Sequence, residues 1–178
     1  MTARGVWGTG TDRRRSRART LGVLGVGALL LPSLFPPKPL LVWNTSESAP
    51  VGLYLIGEAR APASGDMVLA RVPARARRLA AERRYLPANV PLVKRVAAVP
   101  GDTVCAVHAS IVINGKVAAV RAARDARGRS MPWWNGCMIL DERTYFLLMD
   151  HPRSFDGRYF GPTPRADILG TAAPAWLH

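Results

Sequence analysis

Short apolar runs separated by polar turns make up most of the chain from residue 40 onward. Residues 40–58 contain two such runs, on either side of the polar sequence NTSES, and further runs cover 66–72, 91–99 and 145–149. Apolar segments of about four to eight residues bounded by Gly, Pro, Asn and Ser are typical of β-strands. The pattern therefore predicts a mainly β domain with many turns.

A hairpin and a late strand complete the predicted β domain. Residues 103–107 and 110–115 have the pattern of a hairpin pair, and Asn114-Gly115 is a type I′ turn signal. A short aromatic segment, RYFG, occupies 158–161. The last strand is expected near 168–172.

Two segments between these runs do not follow the β pattern. Residues 74–89 place five arginines among alanines, and Pro87 ends the run. This composition predicts an exposed basic helix or loop inserted between strands. Residues 121–136 are polar, and we expect a loop there.

The first part of the chain has the pattern of a membrane anchor. Residues 1–20 contain six arginines and one aspartate, and the next stretch carries no charge until Lys38. A bilayer span needs about 20 apolar residues, with a lower limit near 17. We therefore predict an anchor at 21–37, with residues 1–20 in the cytoplasm and 40–178 across the membrane. A cleaved signal peptide or a buried core helix are the alternatives.

The chain is strongly basic, with a net charge of +13 and only three lysines among its 25 basic residues. A basic domain outside the membrane is attracted to anionic lipid headgroups, and nucleic acid is the competing partner. The chain lacks the interleaved aromatic residues and known motifs of nucleic-acid binders, so we expect no nucleic-acid partner. No histidine or cysteine spacing indicates a metal site, and no cofactor is expected.

Lys94 is the lysine whose position suggests chemistry. In the strand predicted at 91–99, Lys94 shares one face with Leu92 and Val96, because side chains alternate along a strand. Arg95 lies on the opposite face. An ammonium group in an apolar setting loses hydration, its pKa falls, and the neutral amine can act as a general base. The alternative is a lysine that extends from an edge strand into water.

A neutral lysine base needs a hydroxyl to activate. Ser46 and Ser48 lie in the turn between the first two predicted strands, where a serine can face a cleft. Alone, this signal is weak, because loop serines are usually solvated. The chain has no Gly-x-Ser-x-Gly sequence, and its three histidines suggest no Ser-His pair. A serine hydrolase built from this chain would therefore use a Ser-Lys pair.

Three sequence boxes resemble those of type I signal peptidases. LVKRVAAVPGD (92–102) resembles the family's lysine box, and SFDGRYFGPTPRADILGTA (154–172) resembles its C-terminal Asp-Arg-Tyr box. The serine box at 44–54 is similar to that of the TraF-type conjugative transfer peptidases, a branch of the family. The boxes occur in the family's order. The resemblance implies a signal-peptidase-like β domain on one N-terminal transmembrane helix.

The resemblance also implies roles for the two serines and the lysine. Ser48 would be the nucleophile and Lys94 its general base. Ser46 would supply an oxyanion-hole hydroxyl beside the backbone N–H of Ser48. Ser46 is also the alternative nucleophile, because the spacing from Ser48 to Pro50 differs by one residue from the usual pattern.

The C-terminal box implies a third catalytic residue, Asp156. In the TraF branch an aspartate is implicated in activity. The alternative is a structural Asp156 that pairs with Arg158 or Arg95, both of which are expected to support the site. Gly157 stands where the family often has a serine that hydrogen-bonds the lysine.

Cys105 and Cys137 are the two cysteines of the chain. In a domain outside the cytoplasm we expect them to pair, because that compartment is oxidising. Cys105 and the Trp133–Cys137 segment are also similar to the TraF branch. Two reduced, buried cysteines are the alternative.

The function implied by the resemblance is that of a membrane-bound serine endopeptidase that processes a pilin precursor for conjugative transfer, with cleavage and cyclisation as the two alternative outcomes. Its partners would be a membrane-bound precursor protein and membrane lipids. The expected location is the bacterial inner membrane, with residues 40–178 forming the periplasmic catalytic domain. The alternatives are a housekeeping type I signal peptidase, a membrane-anchored DNA-binding module, and an inactive relative that serves as an assembly factor.

Overall fold

Two antiparallel sheets form most of residues 40–178, the part of the chain that the computed structural model describes. The larger sheet has seven strands in the order β1-β2-β11-β3-β4-β9-β10, and the smaller has four in the order β7-β6-β5-β8. The strands are β1 (Leu41–Asn44), β2 (Gly52–Ile56), β3 (Met67–Ala70), β4 (Leu92–Ala98), β5 (Thr103–Val107), β6 (Ser110–Ile113), β7 (Lys116–Val120), β8 (Gly136–Ile139), β9 (Thr144–Leu148), β10 (Thr163–Pro164) and β11 (Ile168–Leu177). The predicted mainly β fold is confirmed.

The smaller sheet contains more strands than the sequence pattern predicted. The hairpin of β5 and β6 is present, but it turns at His108, which has a φ of 50°. Asn114 and Gly115, with φ angles of 49° and 78°, turn the chain one strand later, from β6 into β7. Strands β7 and β8 were not predicted, because their residues are mostly exposed and lack the buried alternation of the others.

Strand β4 lies inside the larger sheet, between β3 and β9. Val96 of β4 is fully buried, and so are Leu147, which is opposite it on β9, and Val68, which is opposite Lys94 on β3. A residue of β4 can be shielded from water because the strand lies inside the sheet. Lys94 therefore does not extend into water from an edge strand, which was the alternative prediction.

The arginine-rich segment forms a helix, α1 (Ala74–Glu82), and one of its faces is buried rather than exposed. Ala76 and Ala80 are buried, and the Nε of Arg75 donates a hydrogen bond to the carbonyl of Phe160 at 2.8 Å. The small alanine side chains let the helix pack closely while its arginines reach the surface.

The RYFG segment forms one helical turn, α2 (Gly157–Phe160), whose first N–H groups are capped by Asp156. Gly157 is required there because a Cβ atom would lie 2.8 Å from the carbonyl oxygen of Leu147. This close approach places α2 directly against β9.

No helix within residues 40–178 is long and apolar enough to cross a membrane. The predicted anchor at 21–37 and the basic segment at 1–20 lie outside the described residues.

A disulfide joins β5 to β8, the outer strand of the smaller sheet. Cys105 and Cys137 are directly opposite in the register of the two strands, with Cα atoms 4.0 Å apart. All four residues of β8 are exposed, so the strand has little buried surface of its own. The disulfide therefore adds a covalent link where packing is weak.

We expect the double substitution Cys105→Ser/Cys137→Ser to lower the free energy of unfolding by about 3.5 kcal/mol. The cysteines are separated by 32 residues, and a loop of that length gives the unfolded chain this much additional entropy when the link is removed. Urea unfolding of the full chain measures the change. Reduction of the unaltered protein should produce the same loss, and a change below about 1 kcal/mol would contradict the entropic argument.

Candidate active site

The loop between β1 and β2 holds Ser48 in a fixed position. The side-chain amide of Asn44 donates to three carbonyls of the loop, those of Ser46, Ala49 and Pro50, at 3.0–3.1 Å. Its oxygen accepts the backbone N–H of Ser46 at 3.2 Å. Asn44 is itself buried, so the loop is folded around one amide group.

Lys94 meets Ser48 from the buried side of this loop. Its Nζ lies 2.7 Å from the Oγ of Ser48 and 2.9 Å from the Oγ of Ser154. The Lys94 side chain extends from the middle of β4, and the residue is only 3% exposed. The structure thus brings together the two residues that the sequence proposed as nucleophile and base.

Burial lowers the pKa of Lys94 from 10.5 to about 8. Loss of hydration is the main cause, because the charged ammonium is the form that needs water. The negative charge of Asp156 acts in the opposite direction, and the positive charge of Arg158 adds to the lowering. A substantial neutral fraction at mildly alkaline pH follows, which is what a general base requires.

Ser154 is a site residue that the sequence analysis missed. It is buried, and its hydroxyl is the second hydrogen-bond partner of Lys94. The sequence suggested that Gly157 left this role empty, whereas Ser154, three residues earlier in the same box, fills it. The signal that could have found it is the position of Ser154 at the start of the C-terminal box.

Ser46 lies next to Ser48 in the site. The two Oγ atoms are 2.8 Å apart, and the Oγ of Ser46 accepts the backbone N–H of Ser48 at 3.3 Å. Ser46 has no hydrogen bond to Lys94, which contacts Ser48 instead. This geometry favours Ser48 over Ser46 as the nucleophile and places a second hydroxyl beside it.

Asp156 and Arg158 form a buried ion pair behind the site. The Nε of Arg158 donates to the Oδ1 of Asp156 at 2.8 Å, and both side chains are at most 2% exposed. Asp156 also accepts the N–H of Met149 at 3.1 Å, and no hydrogen bond joins it to Lys94. Arg95 does not join this pair, because it pairs with Asp150 on the surface.

A mostly apolar cleft of about 900 Å³ leads to the two serines and Lys94. Its walls come from β1, the segment before β4, the loop near residue 125 and the start of the C-terminal box. The apolar side chains that line it include Trp43, Leu86, Val90, Met131 and Phe155. A concave apolar surface with a few polar groups at one end is typical of a binding site.

The described residues contain no group of three His, Cys, Asp or Glu side chains arranged to hold a metal ion. The polar groups of the site are its serines, Lys94 and the buried pair of Asp156 and Arg158.

Comparison with known proteins gives the family. Residues 14–177 match the family described as signal peptidase, peptidase S26. The chain belongs to the signal peptidase family. Its sequence boxes at 44–54, 92–102 and 154–172 fall within the match.

Two similar relatives of this signal peptidase family member are conjugal transfer proteins. A probable conjugal transfer protein TraF from Sinorhizobium fredii is 37% identical over an alignment of 139 residues, and the alignment covers 72% of this chain and 73% of the relative. A conjugal transfer protein TraF from Agrobacterium fabrum is 35% identical over an alignment of 144 residues, and the alignment covers 75% of this chain and 80% of the relative. The predicted TraF-type resemblance is confirmed, and the chain is a peptidase of the signal peptidase type.

A solved structure of signal peptidase I from Enterococcus faecalis also aligns with the chain. The alignment covers 63% of this chain and 97% of that one, with 21% identity and a TM-score of 0.38.

We expect kcat/KM to rise as pH increases through about 8. Lys94 has a folded-state pKa of about 8, so about a tenth of the enzyme holds the neutral amine at pH 7 and most of it does at pH 9. A pH profile of peptide hydrolysis measures this limb. An activity that is flat between pH 6 and 9, or that rises only near pH 10, would contradict the role of Lys94 as the base.

We expect Asp156→Asn to lower the free energy of unfolding by about 3–5 kcal/mol, because Arg158 is then left buried and unpaired. The rising limb of the pH profile should move to lower pH, because the charge of Asp156 raises the pKa of Lys94. Urea unfolding and the pH profile measure the two effects, with the exposed Glu142→Gln as control. Unchanged stability with a loss of kcat would instead show a direct catalytic role for Asp156.

Proposed function

We propose that this chain is a serine endopeptidase in which Ser48 is the nucleophile and Lys94 the general base. The observation that supports the proposal most directly is the 2.7 Å contact between the Lys94 Nζ and the Ser48 Oγ in a buried setting. Membership of the signal peptidase family supports the same reaction class.

The proposed reaction is acyl transfer through a covalent intermediate. Neutral Lys94 takes the proton of the Ser48 hydroxyl, and the oxygen attacks the carbonyl carbon of the scissile peptide bond. The resulting ammonium of Lys94 then gives its proton to the leaving amine, and the C–N bond breaks to leave an ester on Ser48. A water molecule or an incoming amine attacks this ester and loses a proton to Lys94. The Lys94 ammonium then gives that proton to the Ser48 oxygen as the ester bond breaks, which restores the free hydroxyl and the neutral amine.

The oxyanion formed during the attack needs hydrogen-bond donors. The hydroxyl of Ser46 lies 2.8 Å from the attacking oxygen and accepts the backbone N–H of Ser48 at 3.3 Å. In the proposed reaction both groups turn from this contact to the oxyanion as it forms. A donor of this kind contributes about 3–4 kcal/mol to lowering the barrier. Ser46 is therefore proposed as the oxyanion donor.

The proposed substrate is a pilin precursor for conjugative transfer. The relatives at 35–37% identity are named as conjugal transfer proteins. The apolar cleft suits an extended apolar segment of a precursor, which would bind along it as an added strand. Resolution of the acyl-enzyme by water gives a cleaved product, and resolution by the precursor's own N-terminus gives a cyclic one.

The proposed location is the bacterial inner membrane, with residues 1–20 in the cytoplasm, an anchor at 21–37, and residues 40–178 in the periplasm. The charge pattern of the first 38 residues supports this orientation. The Cys105–Cys137 disulfide suits an oxidising compartment. Membrane lipids are then partners of the protein, and the precursor meets the site at the bilayer surface.

The test is processing of a candidate pilin precursor by the detergent-solubilised full chain, followed by mass spectrometry. We expect Ser48→Ala and Lys94→Met each to lower the rate by about a thousandfold or more, because either change removes the reacting pair. Ser46→Ala should slow processing about a hundredfold to a thousandfold without abolishing it. Ser64→Ala and Lys116→Met remove exposed residues of the same types outside the cleft and serve as matched controls.

The outcomes separate the parts of the proposal. Full activity of Ser48→Ala would make the nucleophile wrong and Ser46 the next candidate. The product mass distinguishes cleavage from cyclisation, which differ by one water molecule. If the unaltered protein leaves the pilin precursor intact but processes a general secretory precursor, the substrate is wrong and the chemistry stands.

A further inference from the structure

Two exposed arginines, Arg124 and Arg153, line the cleft that contains Ser48 and Lys94. Within residues 40–178 neither of them forms a salt bridge. Arg124 uses one guanidinium nitrogen to donate to the carbonyl of Gly128 at 2.7 Å, which leaves its other donors free. The cleft therefore presents two arginines that form no ion pair with an acidic side chain among residues 40–178.

Asp125, an acidic residue that lines the cleft, already accepts four hydrogen bonds. Its carboxylate accepts hydrogen bonds from the Tyr85 hydroxyl, from the Arg129 side chain at 2.7 Å, and from the backbone N–H groups of Arg127 and Arg129 at 2.9 Å. The bond from Tyr85 contributes most to holding the pKa of Asp125 well below its usual range. Asp125 thus stays ionised, is paired with Arg129, and does not neutralise the other two arginines.

Arg153 is next in sequence to a residue that contacts Lys94. It directly precedes Ser154, whose hydroxyl holds the Lys94 amine at 2.9 Å. Arg124 and Arg153 line the same cleft as Ser48, so a peptide that binds along the cleft comes near both arginines. Apolar walls of low dielectric constant strengthen the field of charges at such a site.

We propose that Arg124 and Arg153 bind an acidic side chain of the precursor, so that the peptidase selects segments with a glutamate or aspartate near the processed bond. The planar guanidinium group matches a carboxylate with two parallel hydrogen bonds. This inference rests on the proposed function, because it requires a peptide in the cleft. It adds a charge requirement to the apolar preference of the cleft walls.

The first test measures binding to the full chain with Ser48→Ala, so that no reaction is needed. The probes are fluorescein-labelled peptides of alanine, leucine and glycine with one glutamate, each paired with its glutamine twin, and the glutamate position differs between pairs. We expect at least one pair in which the glutamate peptide binds about tenfold more tightly, as a hydrogen-bonded charge pair would produce. In Arg153→Gln or Arg124→Gln the ratio of the two affinities should fall toward one.

The matched control is Arg71→Gln, which removes an exposed arginine outside the cleft and should keep the tenfold ratio. Arg153→Glu should reverse the preference, so that a lysine peptide binds more tightly than its glutamate counterpart. Equal binding of all glutamate and glutamine twins, or no peptide binding, would overturn the proposal. The proposal would also be overturned if Arg124→Gln or Arg153→Gln lowered binding to vesicles that contain anionic lipid but left the ratio of the glutamate and glutamine peptide affinities unchanged.

The processing assay on the pilin precursor distinguishes failure of the proposed peptidase function from failure of the proposed arginine site. A glutamate preference in the binding assay without any processing would leave the arginine site standing and reject the peptidase function for that precursor. Processing that does not change when acidic residues near the cleaved bond become amides would reject the arginine site and leave the peptidase function intact.

Discussion

The burial of one lysine amine is the constraint on which the site depends. Lys94 is 3% exposed, and its Nζ has two hydroxyl partners, Ser48 and Ser154, that take the place of water. Burying a charged ammonium group without hydrogen-bond partners costs free energy. Burial therefore favours the neutral amine over the ammonium form. The same burial that lowers the pKa to about 8 therefore also requires the two serines to be held within hydrogen-bond distance.

Two separate devices hold those serines. Asn44 binds three carbonyls of the loop that carries Ser48. On the other side, the buried pair of Asp156 and Arg158 fixes the chain just after Ser154, and Arg158 also donates to the carbonyl of Pro152 at 3.2 Å. A buried ion pair is weak evidence for net stability, because desolvation offsets its attraction. The pair instead fixes geometry, because it holds the backbone beside Ser154 and Lys94 in place.

The sequence pattern predicted most of the larger sheet and the pairing of Ser48 with Lys94, and it failed where the signal depended on tertiary contacts. Strand β8 was missed because its four residues are exposed and are held by pairing with β5 and a disulfide. Ser154 was missed because one serine in a loop has no local signal of burial. Its role depends on a lysine 60 residues away along the chain.

The sequence by itself determined the mainly β fold, the family and the residue types of the site, because these follow from local periodicity and from boxes within short segments. Only the tertiary structure decided which serine meets Lys94, that Asp156 pairs with Arg158 rather than Arg95, and that Asp125 is neutralised by Arg129. The physical reason is distance along the chain. Hydrogen bonds and charge pairs act over a few ångströms in space, and the segments that meet in this site, such as Ser48 and Lys94, are 46 residues apart in sequence.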